Sequence, residues 1–122
     1  MPTACEIGAE AETDACRFLE SAGLQLIQRN YRCKMGEIDL IMQDKETLVF
    51  VEVRKRSHPD FGSGVESISP EKQRRIIKTA LHYLLETQQY DAVPTRIDVV
   101  DIGLHTGHHA VEWIKNAIME KW

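Results

Sequence analysis

The sequence predicts an α/β domain of three layers, α/β/α, with a mixed central sheet and the element order α-β-β-β-α-β. Three observations carry this reading. Residues 37–43 and 47–56 form two strand-like runs on either side of the polar turn Asp44-Lys45-Glu46, as an antiparallel hairpin requires. Two segments with apolar residues at helical spacing bracket that hairpin. A third strand-like run, dense in Ile and Val, follows the second helical segment, and strands grouped between two helices pack most simply as α/β/α layers.

Thr3-x-x-Glu6 is a capping-box pattern, and Ile7, Ala11, Ala15, Phe18 and Ala22 then recur at helical spacing until Gly23, which predicts a helix over 4–22. Residues 24–32 read as a strand with Leu24, Leu26 and Gln28 on one face, and Lys34-Met35-Gly36 turns the chain. In residues 37–43, Ile38, Leu40 and Met42 fall on one face and Glu37, Asp39 and Ile41 on the other. Thr47 to Arg56 is β-branched and aromatic, with Leu48, Phe50, Glu52, Arg54 and Arg56 sharing a face.

Residues 57–68 contain Pro59, Gly62 and Gly64 and predict a loop. Ser69-Pro70 is an N-cap followed by a first helical position, and the stripe Ile76, Ile77, Ala80, Leu81, Leu84 and Leu85 carries a second helix to about Thr87. Residues 95–102 read as a strand. Residues 110–114 read as a short extra strand before a helix-like terminal segment.

The 122 residues suit one domain spanning 1–122, with enough apolar content for a core without disulfides. The cysteines Cys5, Cys16 and Cys33 show no C-x-x-C spacing and read as reduced thiols of a cytoplasmic protein. No apolar run approaches the roughly 20 residues of a bilayer span, and the N-terminus lacks the basic-then-apolar order of an export signal, so no membrane is expected. A net charge of −4 argues against coating nucleic acid by bulk attraction. The cations are clustered, however, in Arg54-Lys55-Arg56 and in Lys72-Arg74-Arg75-Lys78, which read either as solvated faces or as a nucleic-acid-binding surface.

The informative stretches are Gly36-Glu37-Ile38-Asp39-Leu40-Ile41 and Val49-Phe50-Val51-Glu52-Val53-Arg54. An acid inside an apolar strand is costly to bury without a compensating cation. Asp39 and Glu52 on paired strands therefore either share a divalent ion such as Mg²⁺ or form ion pairs with Arg54, Arg56 or Lys72.

Taken together, the Gly-Glu-Ile-Asp-Leu-Ile and Phe-Val-Glu-Val-Arg segments resemble the YraN family of bacterial proteins. The likeness extends to Gly8-x-Glu10, Asn30-Tyr31-Arg32, Lys72, Ala80 and Arg96-Ile97-Asp98-Val99-Val100, in order along nearly the whole chain. That family in turn resembles the PD-(D/E)XK nucleases, especially the Holliday-junction resolvases, which implies a restriction-endonuclease-like fold. The resemblance implies that Asp39 and Glu52 hold Mg²⁺ or Mn²⁺ together with the backbone carbonyl of Val53. It also implies a further carboxylate from Glu10 on the first helix, with Glu37 either assisting or solvated. It implies a nucleic-acid partner, branched or irregular DNA, and leaves a homodimer open.

The departure from the superfamily pattern is Arg54, which stands where the motif has lysine. Arginine stays protonated and prefers bidentate phosphate contacts, so Arg54 reads as a phosphate clamp rather than a base. Lys72, at the start of the second helix, is the lysine that would replace it, and Arg56, Arg74, Arg75 and Lys78 would follow the nucleic-acid backbone. His105, His108 and His109 read as a solvated loop rather than a zinc site, lacking a cysteine or acid at ligand spacing. Ser57, Ser63 and Ser67 have no adjacent base, and Trp113 and Trp122 read as packing residues. Two functions from different classes remain: a Mg²⁺-dependent, structure-selective endonuclease, or a non-catalytic nucleic-acid-binding or scaffold domain with the same fold. A protein-interaction module is a third, favoured only by net acidity.

Overall fold

A computed structural model describes residues 10–56, 68–105 and 108–119. The capping box at Thr3, the start of the first helix, the serines of the 57–68 loop and Trp122 lie outside the described residues. The elements are α1 (Glu10–Ser21), β1 (Gln25–Cys33), β2 (Gly36–Asp44), β3 (Thr47–Arg56), α2 (Pro70–Glu86), β4 (Thr95–His105) and β5 (His108–Ile118). The five strands form one sheet in the order β1-β2-β3-β4-β5. All neighbours are antiparallel except β3 and β4. A parallel pair needs a crossover, and α2 supplies it.

Local sequence explains the boundaries. The Ser69 hydroxyl accepts from the backbone N–H of Lys72 at 3.1 Å, and Pro70 opens α2 with no N–H to leave unpaired. At the other helix, Gly23 takes φ +103°, and the N–H groups of Gly23 and Leu24 return to the carbonyls of Glu20 and Leu19.

Alternation along β2 and β3 then sends apolar side chains to both faces. Leu40, Met42, Val49 and Val51 pack with Ala15, Cys16 and Leu19 of α1, while Ile41, Leu48 and Phe50 pack with Ile76, Ala80, Tyr83 and Leu84 of α2. Each fully buried Leu, Ile or Phe contributes about 1.5–3 kcal/mol of transfer free energy. The sheet is thus a middle layer with a core on each side, the three-layer arrangement and element order expected.

Five details differ from the sequence reading. Residues 115–118 continue β5 rather than forming a helix: Asn116 adopts φ 52° in a bulge, and Ile118 returns to pair with Ile97 in the α2-side core. Ile38 joins Tyr31 in the α2-side core rather than Leu40 and Met42, at the point where β2 pairing with β3 ends. Gln28 is exposed, because a bulge between Leu26 and Gln28 breaks the alternation of β1. Phe18 is exposed with its ring edge-on to Trp113, since the sheet-facing stripe of α1 is Ala15, Cys16 and Leu19. Cys16 is disulfide-bonded and Cys33 free, because closeness in space, not spacing in sequence, decides which thiols can pair.

Candidate functional site

The site forms where β2 and β3 separate. Their Cα register runs from Asp44↔Thr47 to Leu40↔Val51 and ends there. At the next position the backbone N–H of Val53 donates to Oδ2 of Asp39 at 2.8 Å, so a carboxylate stands where a ladder carbonyl would be. That brings Asp39 against Glu52, and the two carboxyls share a hydrogen bond. Glu52 is only 7% exposed, and Nζ of Lys72, from the first turn of α2, lies 3.1 Å from its Oε2. Oε2 is buried and meets no donor with hydrogen-bond geometry among the described residues.

These groups line an open pocket of about 280 Å³ together with Gly36, Glu37, Arg75 and Ile76. Gly36 sets its width. With φ +153°, and with a Cβ there falling 3.0 Å from Oγ1 of the buried Thr79, only glycine lets β2 begin this close to α2. Burial, then the hydrogen bond and charge of Glu52, push the Asp39 carboxyl up to about 8, against the Val53 N–H and the Lys72 ammonium.

An acid from helix α1 completes the cluster. Carboxylate oxygens of Glu12, Glu37 and Asp39 lie within 4.8 Å of one another. Burial, followed by the charge of Asp39, raises the Glu12 carboxyl above its ordinary range, while Arg29 and Asn30 counter the rise. The helix acid of the cluster is thus Glu12 and not Glu10, which is exposed in the first turn of α1. Two residues turn a helix by about 200°, so the neighbouring acids face nearly opposite ways. The signal for Glu12 is in the sequence: it stands four residues before Cys16 and seven before Leu19, on the buried stripe.

The remaining expected residues divide. Lys72 is brought to Glu52, and Glu37 is exposed, accepting from Nε of Arg32 at 3.1 Å while facing Glu12 and Asp39. Arg54 does not line the pocket; it is half-buried and in parallel register with the buried Asp101 of β4. Alternation places Arg54 on the face of Glu52 but one step further along, where β4 and not the opening is adjacent. Arg74, Arg75 and Lys78 are exposed on α2, and Arg75 reaches the pocket. Trp113 is half-buried and donates its indole N–H to Asp98, a packing role as expected. The side chains of Arg56, His105, His108 and His109 lie outside the described residues. No described helix is long and apolar enough to cross a membrane.

The donor set suits a hard divalent cation. Asp39, Glu52 and Glu12 offer only oxygen, one buried oxygen lacks a hydrogen-bond donor, and two carboxyls in contact are the arrangement a cation between them would relieve.

Comparison with known proteins agrees on the chain's kinship. A UPF0102 protein of Coxiella burnetii strain RSA 493 is 50% identical over 113 residues, covering 93% of this chain and 92% of its own. One from Nitrosococcus oceani is 48% identical over 110 residues, with 90% and 89% covered. Among solved structures, that of Pyrococcus furiosus SfsA in complex with Ca²⁺ matches over 85% of this chain and 60% of its own, at 14% identity and a TM-score of 0.38, too slight a likeness to bear on function. The model of uncharacterised protein family UPF0102 matches residues 11–102, and with relatives this similar over nearly their whole length the chain belongs to that family.

Proposed function

We propose that the protein is a divalent-cation-dependent, structure-selective endonuclease acting on branched or irregular DNA. The observation that carries this reading is the half-buried Asp39 against the buried Glu52 at an open pocket, with the Lys72 ammonium 3.1 Å from Glu52. Asp39, Glu52 and Glu12 would hold Mg²⁺ or Mn²⁺, which would neutralise phosphate charge and acidify water at the scissile bond.

The chain's own groups account for the rest. Glu52 holds the Lys72 ammonium at the pocket, with Nζ 3.1 Å from its Oε2, so that Lys72 can stabilise charge developing on a phosphoryl oxygen. Arg75 at the pocket, with Arg74 and Lys78 exposed further along α2, would contact flanking phosphates and give salt-sensitive binding. Gly36 keeps the mouth narrow between β2 and α2.

The test is a panel of duplex, flap, single-stranded and four-way DNA incubated with Mg²⁺ or Mn²⁺. Wild type is expected to cut at least one branched substrate. Asp39→Ala and Lys72→Ala should each abolish cutting, and Lys72→Ala should retain most DNA binding. Binding without cutting by wild type would instead favour a non-catalytic nucleic-acid-binding domain with this fold. Binding that is flat between low and moderate salt would remove nucleic acid from the reading.

A further inference from the structure

Asn30 is the polar group of β1 nearest the acid cluster, and two features of it are otherwise without purpose. Its backbone takes φ 53° in the middle of a strand, a left-handed conformation that Asn tolerates better than most residues. Its exposed side chain lies between two acids. Oriented with its nitrogen toward them, the amide donates to Oε1 of Glu12 at 3.0 Å and to Oε1 of Glu37 at 3.2 Å. The opposite orientation would set the amide oxygen against both carboxylates with no donor between them, so the hydrogen-bond network decides the assignment.

The amide therefore spans two elements. Glu12 projects from α1 and Glu37 from β2, and Asn30 on β1 ties one oxygen of each. Arg29, its neighbour, adds to the hold on the helix: Nη2 lies 3.6 Å from Oε1 of Glu12, and Nη1 donates to Thr13 at 3.4 Å. Both named contacts to Glu12 fall on Oε1. With one oxygen held, rotation of the carboxylate is restricted and Glu12 keeps a carboxylate oxygen within 4.8 Å of one of Asp39. An ordinary β conformation at position 30 would send the amide elsewhere, which gives the left-handed backbone a reason.

We infer that Asn30 is a positioning residue of the cation site: its amide holds Glu12 and Glu37 so that Glu12 presents a carboxylate oxygen beside Asp39. This rests on the cation-dependent reading proposed above. Groups that orient ligating carboxylates typically change metal affinity by about 10–100-fold when removed.

The experiment titrates Mn²⁺ alone, by calorimetry, into full-length wild type, Asn30→Gly, Glu12→Gln and the double variant. Glycine keeps the left-handed backbone and removes only the amide, and thermal unfolding without cation checks that each variant folds. Asn30→Gly is expected to weaken Mn²⁺ binding about tenfold or more, and much less than that in the Glu12→Gln background, because the two act as one unit. A purely structural Asn30 would lower the unfolding temperature and leave the Mn²⁺ affinity within twofold of wild type, which overturns the inference. Equal loss in both backgrounds overturns the link through Glu12. No Mn²⁺ binding by wild type overturns the cation site itself, and is seen before any variant is compared.

Discussion

Two aspartates sit inside apolar strands of one sheet, and their surroundings are opposite. Asp98 in β4 is wholly buried and receives four donor contacts: Nε of Arg96 reaches both oxygens at 3.1 Å, the Trp113 indole N–H reaches Oδ2 at 2.9 Å, and the backbone N–H of Asn116 reaches Oδ1 at 2.8 Å. Arg96 also binds Asp44 at 2.8 Å, so the ion pair stitches β4 to the end of β2. Asp39 in β2 receives the Val53 N–H and is pressed against a second acid. Burial of a carboxylate alone does not mark a functional group. What separates the two is whether the fold supplies enough donors, and at Asp39 the shortfall faces an open pocket.

The comparison breaks most visibly in stability. Asp98→Ala leaves the Arg96 guanidinium without its buried partner and strands the Trp113 and Asn116 N–H groups. Removal of one member of a buried pair costs about 3–5 kcal/mol, so urea unfolding should show a loss of that order. Above pH 8, where the Asp39 carboxyl ionises beside Glu52, Asp39→Ala removes an acid that repels its neighbour, and the same measurement at that pH without divalent cation should show little loss or a gain. Equal destabilisation by the two substitutions would mean that Asp39 is as well compensated as Asp98.

Divalent cation should narrow the gap. A ligand that binds only the folded state at a hundredfold excess over its Kd stabilises by about 2.7 kcal/mol. Mg²⁺ or Mn²⁺ should raise the unfolding midpoint of wild type by a corresponding amount and leave that of Asp39→Ala unmoved. An equal rise in both would place the bound cation elsewhere.

A separate test follows from pH. The Asp39 carboxyl is raised to about 8 from an ordinary 3.8, so between those values the folded state holds up to one more proton than the unfolded chain. Its contribution is therefore present in full at acid pH and is lost as pH rises through about 8, at up to about 1.4 kcal/mol per pH unit. Cation-free unfolding of wild type should show that decline, and Asp39→Asn should flatten it. A wild-type profile no steeper than that of Asp39→Asn would exclude the raised carboxyl.

The difference between the two aspartates was only half legible in the sequence. Period-two alternation put Asp39 and Glu52 on facing positions of a hairpin, and the Ser69-Pro70 cap placed Lys72 in the first turn of a helix close behind it. Those are local rules, and they hold because β2 and β3 are neighbours in the chain. The partners of Asp98 come from Trp113 and Asn116, in a stretch read as part strand and part helix, and only the bulge at Asn116 aims that N–H back at β4. Glu12 was missed for a related reason. Motif likeness pointed to an acid near the start of α1 without fixing its helical phase, and the phase is decided by which residues meet the sheet. Asn30 showed as part of a family-like motif, but its left-handed backbone has no signature in that pattern.

The smallest expected effect concerns which element supplies the cation that opposes the acids. Alternation along β3 put Arg54 on the face of Glu52 and suggested a phosphate clamp, yet it lies outside the pocket lining and in register with Asp101, while Lys72 of α2 stands 3.1 Å from Glu52. If α2 does the work, Arg54→Lys changes one cation for another at a half-buried position beside β4. Lysine keeps the charge but not the planar fork, so unfolding should shift by no more than about 1 kcal/mol and DNA affinity should fall modestly. Cleavage by the variant should stay within about threefold of wild type, because a lost catalytic interaction of 1.36 kcal/mol already costs tenfold. Lys72→Ala in the same assay should abolish cutting. A tenfold or greater change in either direction from Arg54→Lys would move the role back to β3. An increase would mean that the strand position is the productive place for an ammonium, and a decrease that the guanidinium itself is required, even though the structure sets it beside Asp101 rather than at the mouth of the pocket.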